Sequence, residues 1–211
     1  MKGTIIDISR NLAPDTAVWP GDTPFSLRKV MERGLGHSVN LTTLTISAHT
    51  GSHVDAPYHF TDDGLTMEAV DLRPYWGLAQ VVTVDKESGP LYPSDFSDCD
   101  LTRAARLLVR TPVSSYPVTE FPSAIPHPSP ELADMLGSLE ILLYGTDALS
   151  MDDINSETLP GHNAMLRNGI SILEGLDLTL APDGLYELAA LPLKIVGGDG
   201  SPVRAVLRSI T

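Results

Sequence analysis

Short apolar segments, each ended by glycine, proline or polar turn residues, are the sequence feature that most limits the fold. Such segments predict strands around residue 6 and over residues 39–49, 78–84, 106–111, 140–146, 185–196 and 203–210. Seventeen prolines and seventeen glycines are spread along the chain as turn markers and form no linker. We find no internal repeat. We therefore expect the 211 residues to form one domain, 1–211.

Helices are predicted at two places. In HPSPELADMLGS, Ser129 can cap a helix, Pro130 suits its first position and Gly137 ends it. In LPGHNAMLRNG, Pro160 is expected to open a helix and Gly169 to close it. Many strands and few helices predict a mixed α/β fold around a substantial sheet.

The charge balance and the lack of cysteine pairs limit the partners and the compartment. Fourteen basic and twenty-seven acidic side chains give a net charge of −13, which repels phosphate backbones and anionic lipid headgroups. We therefore expect no nucleic acid and no membrane as partners. The N-terminal segment turns polar at Asp7, too early for a signal-peptide core, and the single Cys99 cannot form an internal disulfide. These features predict a cytoplasmic protein.

The segment HTGSHVDAPYH, residues 49–59, holds three of the six histidines of the chain. His49 is expected on the polar face of the preceding strand, before a tight turn at residues 50–52. Beyond the turn, His53, Asp55 and His59 have the same parity, so an extended chain would direct them to one side. Two imidazoles and a carboxylate are ligands that Zn²⁺ prefers, and a three-ligand site leaves a position for water. His59 would then be free to carry protons.

Histidines are more often solvated or hydrogen-bonded than metal-bound. Four such side chains around one glycine turn nevertheless favour a metal site. His37 and His127 lie in loop-like sequence without partners, and we expect them outside the site.

The same segment resembles the HxGTHxDxPxH signature of the cyclase-like metal hydrolases, with Ser52 keeping the hydroxyl of the usual threonine. Within that family, the chain is most similar to the bacterial kynurenine formamidases (arylformamidases). DISRNLAPDTAVWPGDTPF resembles their N-terminal segment, LPGHNAMLRNGISILEGL their second metal segment, and YELAALPLKIVGGDGSPVRAVLR their C-terminal strands. The resemblance covers nearly the whole chain. It implies a swivelling β/β/α fold and a homodimer in which a neighbouring subunit helps to complete the pocket.

The resemblance also implies a metal site with two zinc ions per subunit, for which manganese or cobalt would also suit the ligands. The implied ligands are His49, His53 and Asp55 for one ion and Asp55, His162 and Glu174 for the other. His59 is implied as the catalytic acid/base, and Trp19 as a substrate contact. Without the resemblance, His162 would be read as a surface histidine in the first turn of the second helix, and Glu174 as a charge ending the short strand ISILE.

The partner that the resemblance implies is a small-molecule substrate, and the implied activity is the hydrolysis of N-formyl-L-kynurenine to L-kynurenine and formate, in the kynurenine pathway of tryptophan degradation. Metal coordination would lower the pKa of a bound water, and His59 would protonate the departing anilide nitrogen. A hydrolase of the same family acting on isatin or another cyclic amide is one alternative. The other is a non-catalytic scaffold whose zinc serves folding, with a closed four-ligand shell. The chain has no G-x-S-x-G motif, which argues against a serine hydrolase.

Other polar and glycine positions are expected to have structural roles. We expect Asp147 to supply turn or cap hydrogen bonds and Asp152–Asp153 to form a solvated acidic loop. Gly197, Gly198 and Gly200 lack a P-loop lysine and predict a turn between strands. Asn163 stands where the family often has a second histidine, which affects only hydrogen bonds around the ligands.

Overall fold

A nine-stranded mixed sheet forms the centre of the computed structural model, which describes residues 3–210. In this part of the chain the strands are β1 (Ile5–Asp7), β2 (Ser26–Met31), β3 (Leu41–Thr45), β4 (His53–Asp55), β5 (Trp76–Thr83), β6 (Gly89–Leu91), β7 (Arg106–Arg110), β8 (Pro126–Pro128), β9 (Leu143–Thr146), β10 (Ser171–Glu174), β11 (Gly184–Ala189), β12 (Gly200–Pro202) and β13 (Val206–Ser209). The α-helices are α1 (Pro130–Ser138) and α2 (Pro160–Arg167). None of the helices described is long and apolar enough to cross a bilayer.

The sheet has the strand order β1-β13-β11-β5-β7-β9-β10-β4-β12. Its centre is parallel, from β5 through β7 and β9 to β10, and antiparallel strands extend it on both sides. Because strands from both ends of the described chain pair in it, these residues form a single mixed α/β domain, as predicted. Two short sheets, β2–β3 and β6–β8, lie outside it.

The two faces of the sheet pack into separate hydrophobic clusters. In β7, Leu107 and Val109 pack with helices α1 and α2, whereas Leu108 packs on the opposite face. In β10, Ile172 faces the helices and Leu173 faces away. This alternation follows from the two-residue period of a strand, and burial on both faces is typical of parallel strands.

Residues that favour helix starts and helix ends account for the bounds of both helices. The Ser129 hydroxyl accepts a hydrogen bond from Leu132 N at 3.1 Å, as its predicted cap role requires. The helix α1 passes through Gly137 and ends at Ser138, so the expected end at Gly137 was one residue short. Helix α2 begins at Pro160, as predicted, and ends before Gly169, whose φ of +66° closes it.

Several strands are shorter than the apolar segments suggested. The strand expected over residues 39–49 ends at Thr45, and residues 48 and 49 form a turn in which Thr50 N bonds to Ser47 O at 3.2 Å. The segment 185–196 leaves the sheet after Ala189, which pairs with Trp76, the first residue of the neighbouring strand β5. The segment 140–146 is strand from Leu143 onward.

Candidate active site

The predicted metal ligands meet where β4 and β10 lie side by side. In their antiparallel register, Glu174 is opposite His53 and Ile172 is opposite Asp55. Directly opposed residues and their second neighbours share a face, so His53, Asp55 and Glu174 lie on the same side of the sheet. The extended conformation expected around His53 and Asp55 is confirmed by β4.

The other three histidines reach this point from turns and a helix. His162 lies in the first turn of α2, as predicted. His49 lies in the turn that follows β3, and the expected position on a strand face was wrong. His59 ends a 3₁₀ turn, Pro57–His59, in which His59 N bonds to Ala56 O at 2.9 Å. The expectation that strand parity would direct His59 was therefore also wrong, although the side chain reaches the same place.

Asp55 stands at the centre of the cluster. Its Oδ1 is 3.0 Å from His49 Nδ1 and 3.4 Å from His53 Nε2, and its Oδ2 is 3.5 Å from His162 Nε2. Glu174 Oε2 is 3.3 Å from His53 Nε2, and Glu174 Oε1 is 3.7 Å from His162 Nε2. The fold thus brings together all five side chains predicted as ligands.

The buried carboxylates fit metal ligation. Both oxygens of Asp55 and Oε1 of Glu174 are buried and accept no hydrogen bond from any described residue. Burying a carboxylate without a partner is costly, and a divalent cation removes that cost. Two groups of potential ligand atoms lie within 4.8 Å of one another: His49, Asp55 and His59, and His53, Asp55 and Glu174. Asp55 belongs to both groups, and imidazole with carboxylate is a donor set that zinc prefers.

The electrostatics of the cluster favour positive charge. Burial raises the pKa of Asp55, but the imidazoles of His162, His49 and His53 outweigh it and hold this pKa well below its usual range. Burial lowers the pKa of His53, but Asp55 and Glu174 outweigh it and raise this pKa to about 10. The pKa of His162 is raised to about 10 against the effect of burial, first through its bond to Asp152. Protons or metal ions are therefore strongly attracted to this point.

Each of the three imidazoles nearest Asp55 contacts a polar group outside the cluster through one of its ring nitrogens. His53 Nδ1 donates to Gly51 O at 2.9 Å. The nitrogens His162 Nδ1 and His49 Nε2 face carboxylate oxygens, at 2.6 Å from Asp152 Oδ2 and 3.2 Å from Asp199 Oδ2. In each case the other ring nitrogen faces the carboxylates of the cluster. Bonds of this kind fix the tautomer and orientation of metal-binding histidines.

Asp152 corrects one expectation and supplies a residue that sequence reasoning missed. It is 1% exposed and not part of a solvated loop, whereas Asp153 is exposed as expected. Asp152 Oδ1 accepts from Gly161 N at 2.6 Å, and Oδ2 accepts from His162 N at 3.1 Å. It thereby satisfies free N–H groups at the start of α2, where negative charge is favoured. The sequence did indicate that α2 needs a hydrogen-bond acceptor from elsewhere, because a helix starting LPGH has no capping side chain of its own.

His59 faces a cavity of about 370 Å³ beside the cluster. Its side chain is 35% exposed, its ring centroid lies 3.9 Å from that of His49, and Nδ1 is 3.5 Å from Asp199 Oδ2. Burial lowers the pKa of His59, Asp55 opposes this, and His49 lowers the pKa further. The neutral imidazole is therefore favoured at neutral pH.

Trp19 lines the same cavity and is 39% exposed. Phe121, which sequence reasoning did not identify, also lines it and meets Trp19 edge to face, with ring centroids 5.3 Å apart. The two aromatic rings give the cavity an apolar lining in addition to the polar cluster. Among the described residues that line the cavity are Asp22, Asp153 and Asp199, and none is lysine or arginine.

The remaining predicted positions lie outside the cluster. Asp147 is fully buried and accepts bonds from Thr111 N at 2.6 Å and Ser114 Oγ at 2.7 Å, which confirms its structural role. Asn163 is exposed, and its side-chain amide donates to Leu159 O and Thr158 O rather than to a predicted ligand. His37 and His127 are absent from the lining of the cavity.

Comparisons with known proteins give the relationships of the chain. The profile of the family described as putative cyclase matches residues 6–153. Kynurenine formamidase of Salinibacter ruber is 44% identical, covering 97% of this chain and 97% of that protein. Kynurenine formamidase of Geobacillus thermodenitrificans is 43% identical, covering 100% of both chains.

Solved structures share the fold. Isatin hydrolase A from Labrenzia aggregata superimposes with a TM-score of 0.84 at 23% identity, covering 99% of this chain and 94% of that one. A predicted metal-dependent hydrolase from Bacillus stearothermophilus superimposes with a TM-score of 0.81 at 25% identity, covering 97% of each chain. These structures confirm the predicted fold class. With relatives above 40% identity along nearly its whole length, this chain belongs to the putative cyclase family, in the group of the bacterial kynurenine formamidases.

Proposed function

We propose that this protein is an arylformamidase that hydrolyses N-formyl-L-kynurenine to L-kynurenine and formate. The observation that carries the proposal is the pair of buried carboxylates, Asp55 and Glu174, three of whose four oxygens accept no hydrogen bond from the described residues and which face three imidazoles beside a cavity. The full-length similarity to two kynurenine formamidases supports the substrate. A place in tryptophan degradation follows from that substrate, and a cytoplasmic location stays a prediction.

The proposed cofactor is a pair of zinc ions, with Asp55 shared between them. The proposed ligands are His49, His53 and Asp55 for the first ion and Asp55, His162 and Glu174 for the second. The two oxygens of Asp55 support this division, because Oδ1 faces His49 and His53 whereas Oδ2 faces His162. Manganese and cobalt accept the same donors. When bound, the metal pair supplies Lewis-acid activation of water and of the formyl carbonyl.

The proposed catalytic acid/base is His59. An anilide nitrogen leaves poorly as an anion, so it must be protonated as the C–N bond breaks. Since His59 Nδ1 faces Asp199, its Nε2 is the atom that would take a proton from the attacking water and deliver it to the leaving nitrogen. The exposure of His59 to the cavity supports a role with substrate over a role as a metal ligand.

Trp19 is proposed to bind the aromatic ring of the substrate. Phe121 holds the indole edge to face, which fixes an apolar surface at the cavity. The acidic lining of the cavity would attract the ammonium group of the substrate, and it offers no cation to its carboxylate.

A homodimer is proposed because the side chains of the β2–β3 ribbon are not buried against the rest of the described chain. Every residue of both strands is exposed, including Leu27 at 47% and Leu44 at 56%. An isolated two-stranded ribbon is marginally stable, and an exposed apolar surface of this kind suits a second copy of the chain. A neighbouring subunit would also be a source of the cation that the cavity lacks.

A substrate comparison tests the proposal. Purified, zinc-loaded protein is given N-formyl-L-kynurenine and, in parallel, isatin. We expect release of kynurenine, followed by its absorbance, together with an equal amount of formate, and much slower opening of isatin. If isatin alone is opened, the hydrolase acts on cyclic amides and the formamidase proposal is wrong. If neither reacts, a scaffold role for the metal site takes its place.

A further inference from the structure

The glycine-rich segment at residues 197–200 does more than join two strands, because it brings Asp199 to the cavity. The side chain of Asp199 is 46% exposed and lines the cavity. Its own carbonyl accepts from Ala56 N at 2.9 Å, within the segment that carries Asp55 and His59. The Asp199 backbone is therefore tied directly to the segment that bears the proposed acid/base.

The segment is also held from its other side. Gly198 O accepts from Met67 N at 2.8 Å, and Gly197 N donates to Glu68 Oε2 at 3.0 Å. These bonds fix the start of the segment against a neighbouring turn. Asp199 is thus presented on a braced loop.

One oxygen of Asp199 stands between two imidazoles. Oδ2 is 3.2 Å from His49 Nε2 and 3.5 Å from His59 Nδ1. The two rings stack with centroids 3.9 Å apart and planes 31° from parallel. A carboxylate oxygen has lone pairs for two N–H donors, so the same atom can accept from both rings. That arrangement leaves His49 Nδ1 facing Asp55 and leaves His59 Nε2 free.

Gly200 makes room for this arrangement. A Cβ at Gly200 would lie 2.7 Å from His49 Cε1 and 2.9 Å from His49 Nε2, closer than real Cβ contacts. The His49 ring therefore packs against bare backbone directly after Asp199. The glycines of this segment are explained by the approach of the histidine as well as by the turn.

We propose that Asp199 is a positioning residue that fixes the tautomer and ring orientation of His49 and His59 together. The inference rests on the proposed function, in which His49 binds metal through Nδ1 and His59 acts through Nε2. A shared acceptor would keep the acid/base ring at a constant distance from the metal ligand, so that each orients the other. Outer carboxylates of this kind typically change metal affinity or activity about 10- to 100-fold when they are removed.

The test is Asp199→Asn, which keeps the size of the side chain and removes its charge. The first readout is the ¹⁵N NMR signals of the imidazoles in the zinc-loaded protein, which report tautomer without any turnover. We expect the signals of His49 and His59 to move and those of His53 and His162 to stay. The second readout is kynurenine release, for which we expect kcat to fall about 10- to 100-fold with KM nearly unchanged.

Glu68→Gln is the matched control, because Glu68 braces the same segment without touching either histidine. The proposal is overturned if Asp199→Asn leaves both imidazole signals unchanged, or if Glu68→Gln moves them equally. If Asp199→Asn does not fold, Asp199→Ser is measured in the same way. If the wild-type protein does not hydrolyse the formamide, the proposed function fails, and the NMR result alone decides the role of Asp199.

Discussion

At the scale of single residues, the site is defined by two buried carboxylates whose oxygens are surrounded by imidazoles but are largely without hydrogen-bond donors. Asp55 and Glu174 are buried, and three of their four oxygens accept no hydrogen bond from the described residues. Each surrounding imidazole uses the ring nitrogen that points away from the carboxylates to contact Gly51, Asp152 or Asp199. The side chains are thus fixed before any ion arrives, which lowers the cost of forming the metal site.

His59 provides the first prediction at this scale. His59→Ala should retain the zinc content of the wild type and lose turnover by about 100- to 10,000-fold, the usual contribution of a general acid or base. Zinc per chain is measured by atomic emission and turnover by kynurenine release. Normal turnover would refute the assigned role, and loss of zinc would make His59 a ligand.

The second prediction at this scale concerns Asp152. It accepts three bonds, from Gly161 N, His162 N and His162 Nδ1. Asp152→Asn should therefore weaken zinc binding at the His162 side by about 10- to 100-fold, measured by competition with a chelator. Its exposed neighbour Asp153, changed to Asn, is the matched control and should bind zinc as the wild type does. Equal affinities in the two variants would show that Asp152 has no influence on the metal.

The site residues that the sequence could indicate stand in segments that resemble a known family, namely one short motif and a second segment that holds His162 and Glu174. His49, His53, Asp55 and His59 fall within eleven positions, and their resemblance to a known signature identifies them. Asp199 could not be found in this way, and Asp152 was indicated only by the missing cap of α2. Asp199 meets His49 from 150 positions away, and a carboxylate in a loop has no pattern that separates a buried partner from a solvated charge.

At the scale of elements, the site depends on the contact between the loop before β4 and the loop after β10. Ser52 Oγ donates to Gly175 O at 2.7 Å, and Arg10 N donates to Ser52 Oγ at 2.9 Å. This hydroxyl joins the segment of His53 to the segment of Glu174. It also gives a physical reason for a hydroxyl residue at position 52.

Gly175 allows the two loops to approach. It has a φ of +65°, and a Cβ there would lie 2.3 Å from Gly51 O. Gly175→Ala should cost about 1–2 kcal/mol for the left-handed backbone and about 1–3 kcal/mol more for the clash. Gly169→Ala is the control, since its φ is +66° with no heavy atom within 4 Å of the added Cβ. Chemical denaturation measures both, and equal losses of stability would contradict the predicted contact.

Element types were predictable because helix caps and strand alternation are local. Ser129, Pro130 and Pro160 mark the helix starts where the structure has them. Strand ends were less predictable, since β11 ends where its partner β5 begins, at the pair Ala189 and Trp76, although the residues that follow Ala189 look equally apolar. The short strands β6 and β8 contain prolines and carry no apolar alternation, so the sequence gives no sign of them.

At the scale of the whole molecule, the nine-stranded sheet positions the ligands and the β2–β3 ribbon stands apart from it. Leu27 and Leu44 are opposite each other in the ribbon and both are exposed. Replacing both with Asp should convert the proposed dimer into a monomer, measured by light scattering after size exclusion. Leu180→Asp, at a residue 74% exposed outside the ribbon, should leave the mass unchanged. A monomeric wild type would refute the dimer.

The measurement that tests the central claim most directly is a zinc titration of metal-free protein, with release of kynurenine from N-formyl-L-kynurenine followed throughout. Because Oδ1 of Asp55 faces His49 and His53 whereas Oδ2 faces His162, activity should be absent without metal and should rise until about two zinc ions are bound per chain. Full hydrolysis by protein that atomic emission shows to be free of metal would contradict the account.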